Sequence, residues 1–183
     1  VEAIGLFKTL QTADSINLEN SVRNLNLEIV SGWASKADAI GVMSGKAIGF
    51  NLYNITVNSP DVVLVGGNAV GGVVGYTLGS CFTNNCANYG DISLTHDVTE
   101  STKAAVMSGE DNVRTFFAGV NAYALGSVSN CHNYGNGTIS TNTRNAYCGS
   151  VVGYANGSSP ISNCSNSGAF TYEINNIANV LSD

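Results

Sequence analysis

The stretch Gly149–Gly168 reads GSVVGYANGSSPISNCSNSG, and its parts recur twice upstream. Gly71–Gly90 reads GGVVGYTLGSCFTNNCANYG, and Ala118–Gly135 reads AGVNAYALGSVSNCHNYG. Each copy holds a short apolar run with glycine, a turn ending in Gly-Ser, then Asn-Cys, a polar residue, Asn and soon a Gly. A unit this short cannot bury an apolar face alone. A chain built from it must stack its copies against one another.

The repeat extends to the N-terminus in weaker form. Its Gly-apolar element reads Gly5-Leu6-Phe7, Gly41-Val42-Met43, Gly72-Val73-Val74, Gly119-Val120-Asn121 and Ser150-Val151-Val152. Its Asn-apolar element reads Asn24-Leu25, Asn51-Leu52, Asn85-Cys86, Asn130-Cys131 and Asn163-Cys164. A third short run follows: Leu27–Ile29, Ile55–Val57, Ile92–Leu94, Thr138–Ser140 and Phe170–Tyr172. The apolar runs are too short for helices and rich in β-branched residues and glycine. The expectation is an all-β fold over residues 1–183. It is a right-handed parallel β-helix of about five three-strand coils, with Leu25, Leu52, Val74, Cys86, Val120, Cys131, Val152 and Cys164 inward. The Asn positions lie 27, 34, 45 and 33 residues apart, and the excess goes to loops. The long excursion Thr95–Arg114 carries His96, Asp97, Glu100, Lys103, Glu110, Asp111 and Arg114, and its Glu100–Ser108 suits a short helix. Lys8–Asn20 reads as a second excursion and Tyr172–Asp183 as a terminal cap.

The Gly-apolar-apolar-Gly-Tyr phrase followed by Asn-Cys-x-Asn-x-Gly resembles the GLUG repeat. That family occurs in large bacterial surface proteins, including adhesin-like proteins and immunoglobulin-specific (IgA1) metallopeptidases. Gly71–Gly90 and Gly149–Gly168 match it clearly, whereas Ala118–Gly135 has Asn121-Ala122 in place of Val-Gly. The resemblance implies a secreted or cell-surface location and a repeat-built stalk or binding domain. It implies no catalytic residue, because the His-Glu-x-x-His zinc motif of the peptidase members is absent.

Cys86, Cys131 and Cys164 share one position of the repeat, where the first units have Leu25 and Leu52. A position that accepts Leu or Cys is apolar and interior, so the reading is a stacked thiol ladder rather than a metal site. Asn85, Asn130 and Asn163 are read as bend residues, since asparagine tolerates the left-handed conformation and its amides can bond from coil to coil. A sugar-binding asparagine row is the alternative. Sequons stand at Asn54, Asn136, Asn156 and Asn163. Asn136 and Asn156, in Gly-rich turns, are the best glycosylation candidates, and Asn163, in the ladder, is the worst. Tyr89 and Tyr134 follow the ladder and are read as core-edge packing, with stacking on each other or on a sugar as alternatives.

The remaining chemistry is sparse. Strand positions hold few acids, with Glu28 and Asp91 isolated, so a glycosidase or lyase groove is not indicated. No cofactor motif is present. A formal charge of -6 with no Lys/Arg cluster disfavours nucleic acid as a partner. No apolar run is long enough to span a membrane. Five cysteines are an odd number, leaving at least one unpaired within the chain. Low charge with 24 asparagines suits a secreted surface protein. Because Val1 is not an initiator Met, the chain is read as a mature product or a piece of a longer protein. The functional expectation is a non-catalytic structural or adhesive segment. It would self-associate end to end or laterally into filaments, or bind a surface protein or glycan. An accessory domain of a secreted peptidase or glycan-degrading enzyme is the alternative.

Overall fold

The computed structural model describes residues 3–11, 20–30, 33–34, 37, 39–58, 62–65, 68–96, 114–141, 145–156 and 158–174. They form a parallel β-solenoid. The chain crosses four walls in a fixed order and repeats the circuit, so each wall is a stack of like strands. The first wall stacks Ala3–Ile4, Ala39–Gly41, Ala69–Gly71, Arg114–Ala118 and Asn145–Gly149. The second stacks Phe7–Gln11, Ser44–Ile48, Val74–Leu78, Asn121–Ala124 and Val152–Ala155. The third begins with Ser21–Glu28 and Asn51–Asn58 and continues through the paired segments Phe82–Asn84 with Ala87–Asn88, Ser127–Ser129 with His132–Asn133, and Ile161–Ser162 with Ser165–Asn166. The fourth stacks Trp33–Ala34, Val62–Val65, Ile92–His96, Gly137–Thr141 and Phe170–Ile174.

Pairing is parallel and in register, so equivalent residues of successive coils fall into columns. In the first wall one column runs Ile4, Ile40, Val70, Phe117 and Cys148. This is why a repeat with only a few apolar residues per copy folds. Each copy contributes one layer to a shared core. Leu52, Val74, Cys86, Val120 and Cys131 are fully buried in that core, and Leu25, Val152 and Cys164 pack against it.

Three corrections follow. The coil has four walls rather than three strands. In the second unit the corner pair is Asn54-Ile55, not Asn51-Leu52: Leu25 pairs with Ile55, while Leu52 pairs with Val22 and Thr83. With that shift the first two corner spacings become 30 and 31 residues, close to uniform. Leu27–Ile29 and Ile55–Val57 therefore lie in or beside the third wall, and the fourth-wall strands of those coils are Trp33–Ala34 and Val62–Val65. The glycine element of the second unit is also displaced by one, since Gly41 pairs with Gly71 rather than lying beside Gly72. Most of the Thr95–Arg114 excursion, including the helix expected at Glu100–Ser108, lies outside the described residues. So do residues 12–19 of the second excursion and residues 175–183 of the expected cap.

One inward column shows a mismatch. Ser44, Val74, Asn121 and Val152 stack on the second wall, and Asn121 is fully buried. Its Nδ2 donates to Thr77 Oγ1 at 3.0 Å and to Thr83 Oγ1 at 3.3 Å. Its Oδ1 has no partner among the described residues. Burying an unmatched carbonyl costs about 1–3 kcal/mol. Asn121→Val, which copies the valines above and below, is expected to raise the denaturation midpoint. A lowered midpoint would show that the threonine bonds outweigh the orphaned oxygen.

Candidate binding face on the third wall

Five asparagines give the third wall its shape. Asn24, Asn54, Asn85, Asn130 and Asn163 have φ of 60, 54, 53, 52 and 51°, all in the left-handed region. An ordinary strand alternates sides at every residue. A left-handed residue resets that alternation. Leu52, Ile55 and Val57 can then all point inward although their spacing is three and then two. Asparagine reaches this conformation at lower cost than residues whose side chains cannot bond locally. Its amides also link coils: Asn54 Nδ2 donates to Asn24 Oδ1 at 2.8 Å, and Asn85 Nδ2 to Asn54 Oδ1 at 3.2 Å. Among the described residues this amide chain does not continue to Asn130 and Asn163, which share the backbone conformation alone.

Inside the corner lie three columns. The first is Val22, Leu52, Thr83, Val128 and Ile161. The second is Leu25, Ile55, Cys86, Cys131 and Cys164, the expected thiol ladder preceded by two aliphatic residues. The third is Leu27, Val57, Asn88, Asn133 and Asn166. The second asparagine of Asn-Cys-x-Asn-x-Gly has no role legible in a single repeat. It is the inner ladder. Asn88 Nδ2 donates to Asn133 Oδ1, and Asn133 Nδ2 to Asn166 Oδ1, both at 2.8 Å. The Nδ2 atoms of Asn88, Asn133 and Asn166 also donate to the carbonyls of Gly90, Gly135 and Gly168 at 2.9, 2.6 and 2.6 Å. The glycine is needed because coils approach closely there: a Cβ on Gly135 would collide with the Gly90 carbonyl.

All five cysteines are free thiols. Cys131 is held well above the ordinary thiol range by its hydrogen bond to the Cys86 side chain, with burial acting in the same direction. Its Sγ also lies 3.3 Å from the Ser129 carbonyl and 3.5 Å from that of Thr83. An unpaired hydroxyl buried at this position would cost about 1–3 kcal/mol, but those two carbonyls can pair it. A serine hydroxyl finds a carbonyl here, whereas valine adds a branch between Cys86 and Cys164. Cys131→Ser is therefore expected to stay within about 1 kcal/mol of the parent, and Cys131→Val to lose about 1–3 by overpacking. Thermal melting that ranks valine above serine would reverse this assignment.

Burial pushes up Cys81, Cys164 and Cys148, the last to about 11. A thiol raised in the fold keeps its proton where the unfolded chain releases it. Its contribution is full below the ordinary value of 9.0 and is lost as pH climbs through about 11. Cys148 is only part-buried, so solvent screening reduces its share to roughly 1 kcal/mol. The hydrogen bond from Cys131 draws Cys86 the other way and partly offsets the sum. Urea midpoints are expected to fall between pH 9.0 and about 11, and less steeply in Cys148→Ala. A flat profile would contradict the burial of these thiols.

The candidate glycosylation positions Asn136, Asn156 and Asn54 differ in their surroundings. Asn156 is exposed, and its side chain makes no bond to another described residue. Asn136 is exposed too, but its Oδ1 accepts from Ala169 N–H at 2.9 Å, and its Nδ2 lies 3.4 Å from Asp91 Oδ2. Asn54 sits inside the amide chain, bonded on both sides. Asp91 also accepts from the Asn136 backbone N–H at 2.8 Å, which gives this isolated acid a structural role.

The outer surface of the third wall carries two parallel columns. One runs Asn26, Thr56, Ala87, His132 and Ser165, with His132 Nδ1 2.7 Å from Ser165 Oγ. The other holds Glu28, Asn58, Tyr89, Tyr134 and Ser167, one position beyond the paired inner column. Tyr89 and Tyr134 are 51% and 43% exposed and stack on each other at 4.5 Å with 11° between their planes. Of the readings drawn from sequence, stacking on each other is the one the geometry shows, with about half of each residue exposed. A separate aromatic cluster fills the outer corner between the first and second walls. Phe116 lies 4.8 Å from Tyr123 and 5.4 Å from Tyr147, and Tyr123 stacks on Tyr154 at 5.2 Å. Sequence reading did not anticipate this cluster, since its rings come from different repeats.

Among the described residues, no group of three His, Cys, Asp or Glu side chains could hold a metal ion, and no helix is long and apolar enough to cross a membrane. Compared with protein-family models, with curated proteins and with solved structures, the chain has no match.

Proposed function

We infer that this chain is a non-catalytic structural and adhesive segment of a secreted or cell-surface protein, as its likeness to the GLUG repeat suggests. The observation that carries the reading is the column architecture. In-register walls repeat the same outward positions along the solenoid, as a spacer that presents a binding face requires. Asp91 is engaged in holding Asn136. Leu6 and Phe7 in the first coil, and Ile161 and Tyr172 in the last, are exposed apolar residues at strand edges. Parallel strands with exposed apolar side chains pair with further strands, whether from the same parent chain or from another copy; a second copy stacking end to end is the proposed mode of self-association.

Electron microscopy and sedimentation of the purified chain test this reading. Rods that lengthen with concentration support end-to-end stacking. A monomer at all concentrations removes the filament part, and the absence of adherence to any cell or matrix preparation removes the adhesive part.

A further inference from the structure

Beside Tyr89 the third wall opens into a cleft of about 440 Å³, lined by Asn26, Leu27, Glu28, Thr56, Asn58 and Tyr89. That volume falls within the range of small-ligand sites. The Tyr89–Tyr134 separation of 4.5 Å is close to the spacing of stacked strands, about 4.8 Å, so the two rings lie flat across the solenoid axis. Tyr134 covers one face of Tyr89. The other face looks towards the preceding coil, where the shorter Asn58 holds the equivalent position and leaves the ring face as a wall of the cleft.

The polar side chains around that face are uncommitted. Asn24, Asn54, Asn85, Asn88 and Asn133 spend their amides on coil-to-coil bonds. Asn26, Glu28, Thr56 and Asn58 make no side-chain hydrogen bond to another described residue. Two amides and a hydroxyl offer both donors and acceptors, and the carboxylate offers acceptors. They surround an aromatic face that takes an apolar surface.

We propose that this cleft binds a neutral saccharide ring, its C–H face laid on Tyr89 and its hydroxyls bonded to Asn26, Glu28, Thr56 and Asn58. A sugar hydroxyl both donates and accepts, which matches the mixed set. An anionic ligand meets the Glu28 carboxylate, and the cleft's lining holds no cation. A lysine or arginine side chain suits Tyr89 and Glu28, but it brings donors only and leaves the amide N–H groups unmatched. The proposal deepens the adhesive reading above and rests on it for its biological setting.

The test is a titration of the whole chain, followed by NMR or calorimetry, with cellotetraose, chitotetraose, maltotetraose and mannotetraose, and with tetralysine beside them. At least one neutral oligosaccharide is expected to bind in about the millimolar range. Tyr89→Ala should weaken it about tenfold or more with unchanged circular dichroism. No binding up to about 10 mM, or binding that Tyr89→Ala leaves unchanged, overturns the site. Tetralysine binding that Glu28→Gln abolishes reassigns the cleft to a cationic side chain. Adherence to cells without saccharide binding overturns the cleft and leaves the adhesive reading standing. Saccharide binding without adherence does the reverse.

Discussion

Asn133→Leu is expected to cost about 2–4 kcal/mol, although leucine is of similar size and more apolar. Asn133 is fully buried, and its Nδ2 serves both the Gly135 carbonyl and Asn166 Oδ1. Leucine leaves the buried Gly135 carbonyl without its donor and removes the acceptor of Asn88 Nδ2, which keeps its bond to Gly90. Asn133→Asp should be worse at neutral pH than in acid. A buried carboxylate has no N–H to give, and burial raises its pKa, so its protonated form is the tolerated one and stability falls as pH rises. Denaturant titration of both variants at two pH values tests this. Solenoids can unravel coil by coil, so hydrogen exchange should accompany it. If leucine proves neutral, the inner asparagine column is a bystander and the apolar columns alone hold the third wall.

Phe117→Ala is expected to cost about 3–5 kcal/mol, the range for a fully buried phenylalanine. Phe117 is the largest fully buried side chain among the described residues and stands between Val70 and Cys148 in the first-wall column. Those neighbours are smaller, and parallel strands held in register on both sides cannot collapse into the gap. Phe116 faces the other way, into the ring cluster with Tyr76, Tyr123, Tyr147 and Tyr154. Its replacement by alanine should loosen the outer corner and leave the interior column packed. Near-ultraviolet circular dichroism separates the two: Phe116→Ala should perturb the tyrosine signal more than Phe117→Ala, despite the smaller expected loss of stability. Equal stability of Phe117→Ala and the parent would show that the core column relaxes to fill the void.

How much of this was legible in the residues depends on whether the physics is local to one repeat. The parallel stack was legible because short apolar runs at near-regular spacing have no other way to become buried. The left-handed asparagines were legible too, since that preference belongs to the residue itself. The cysteine column continues an aliphatic one, as the exchange of Cys for aliphatic residues suggests, but its second member is Ile55 and not Leu52. That slip has a physical cause. Asn51-Leu52 and Asn54-Ile55 have the same pattern, and only the pairing of Leu25 with Ile55 and of Val22 with Leu52 across coils distinguishes them. The remainder was decided by contacts between repeats. Whether an asparagine is a corner, an inner rung or a free amide depends on which side of the strand it faces and what the next coil places above it. Asn85, Asn88 and Asn58 look alike in sequence and do three different things. The exposed tyrosine pair and the cleft beside it exist because stacking aligns Tyr89 with Tyr134 on one side and with the shorter Asn58 on the other. Sequence determined that the chain must stack. Only the register of stacking, set by hydrogen bonds and packing between residues tens of positions apart, determined what the stack presents to solvent.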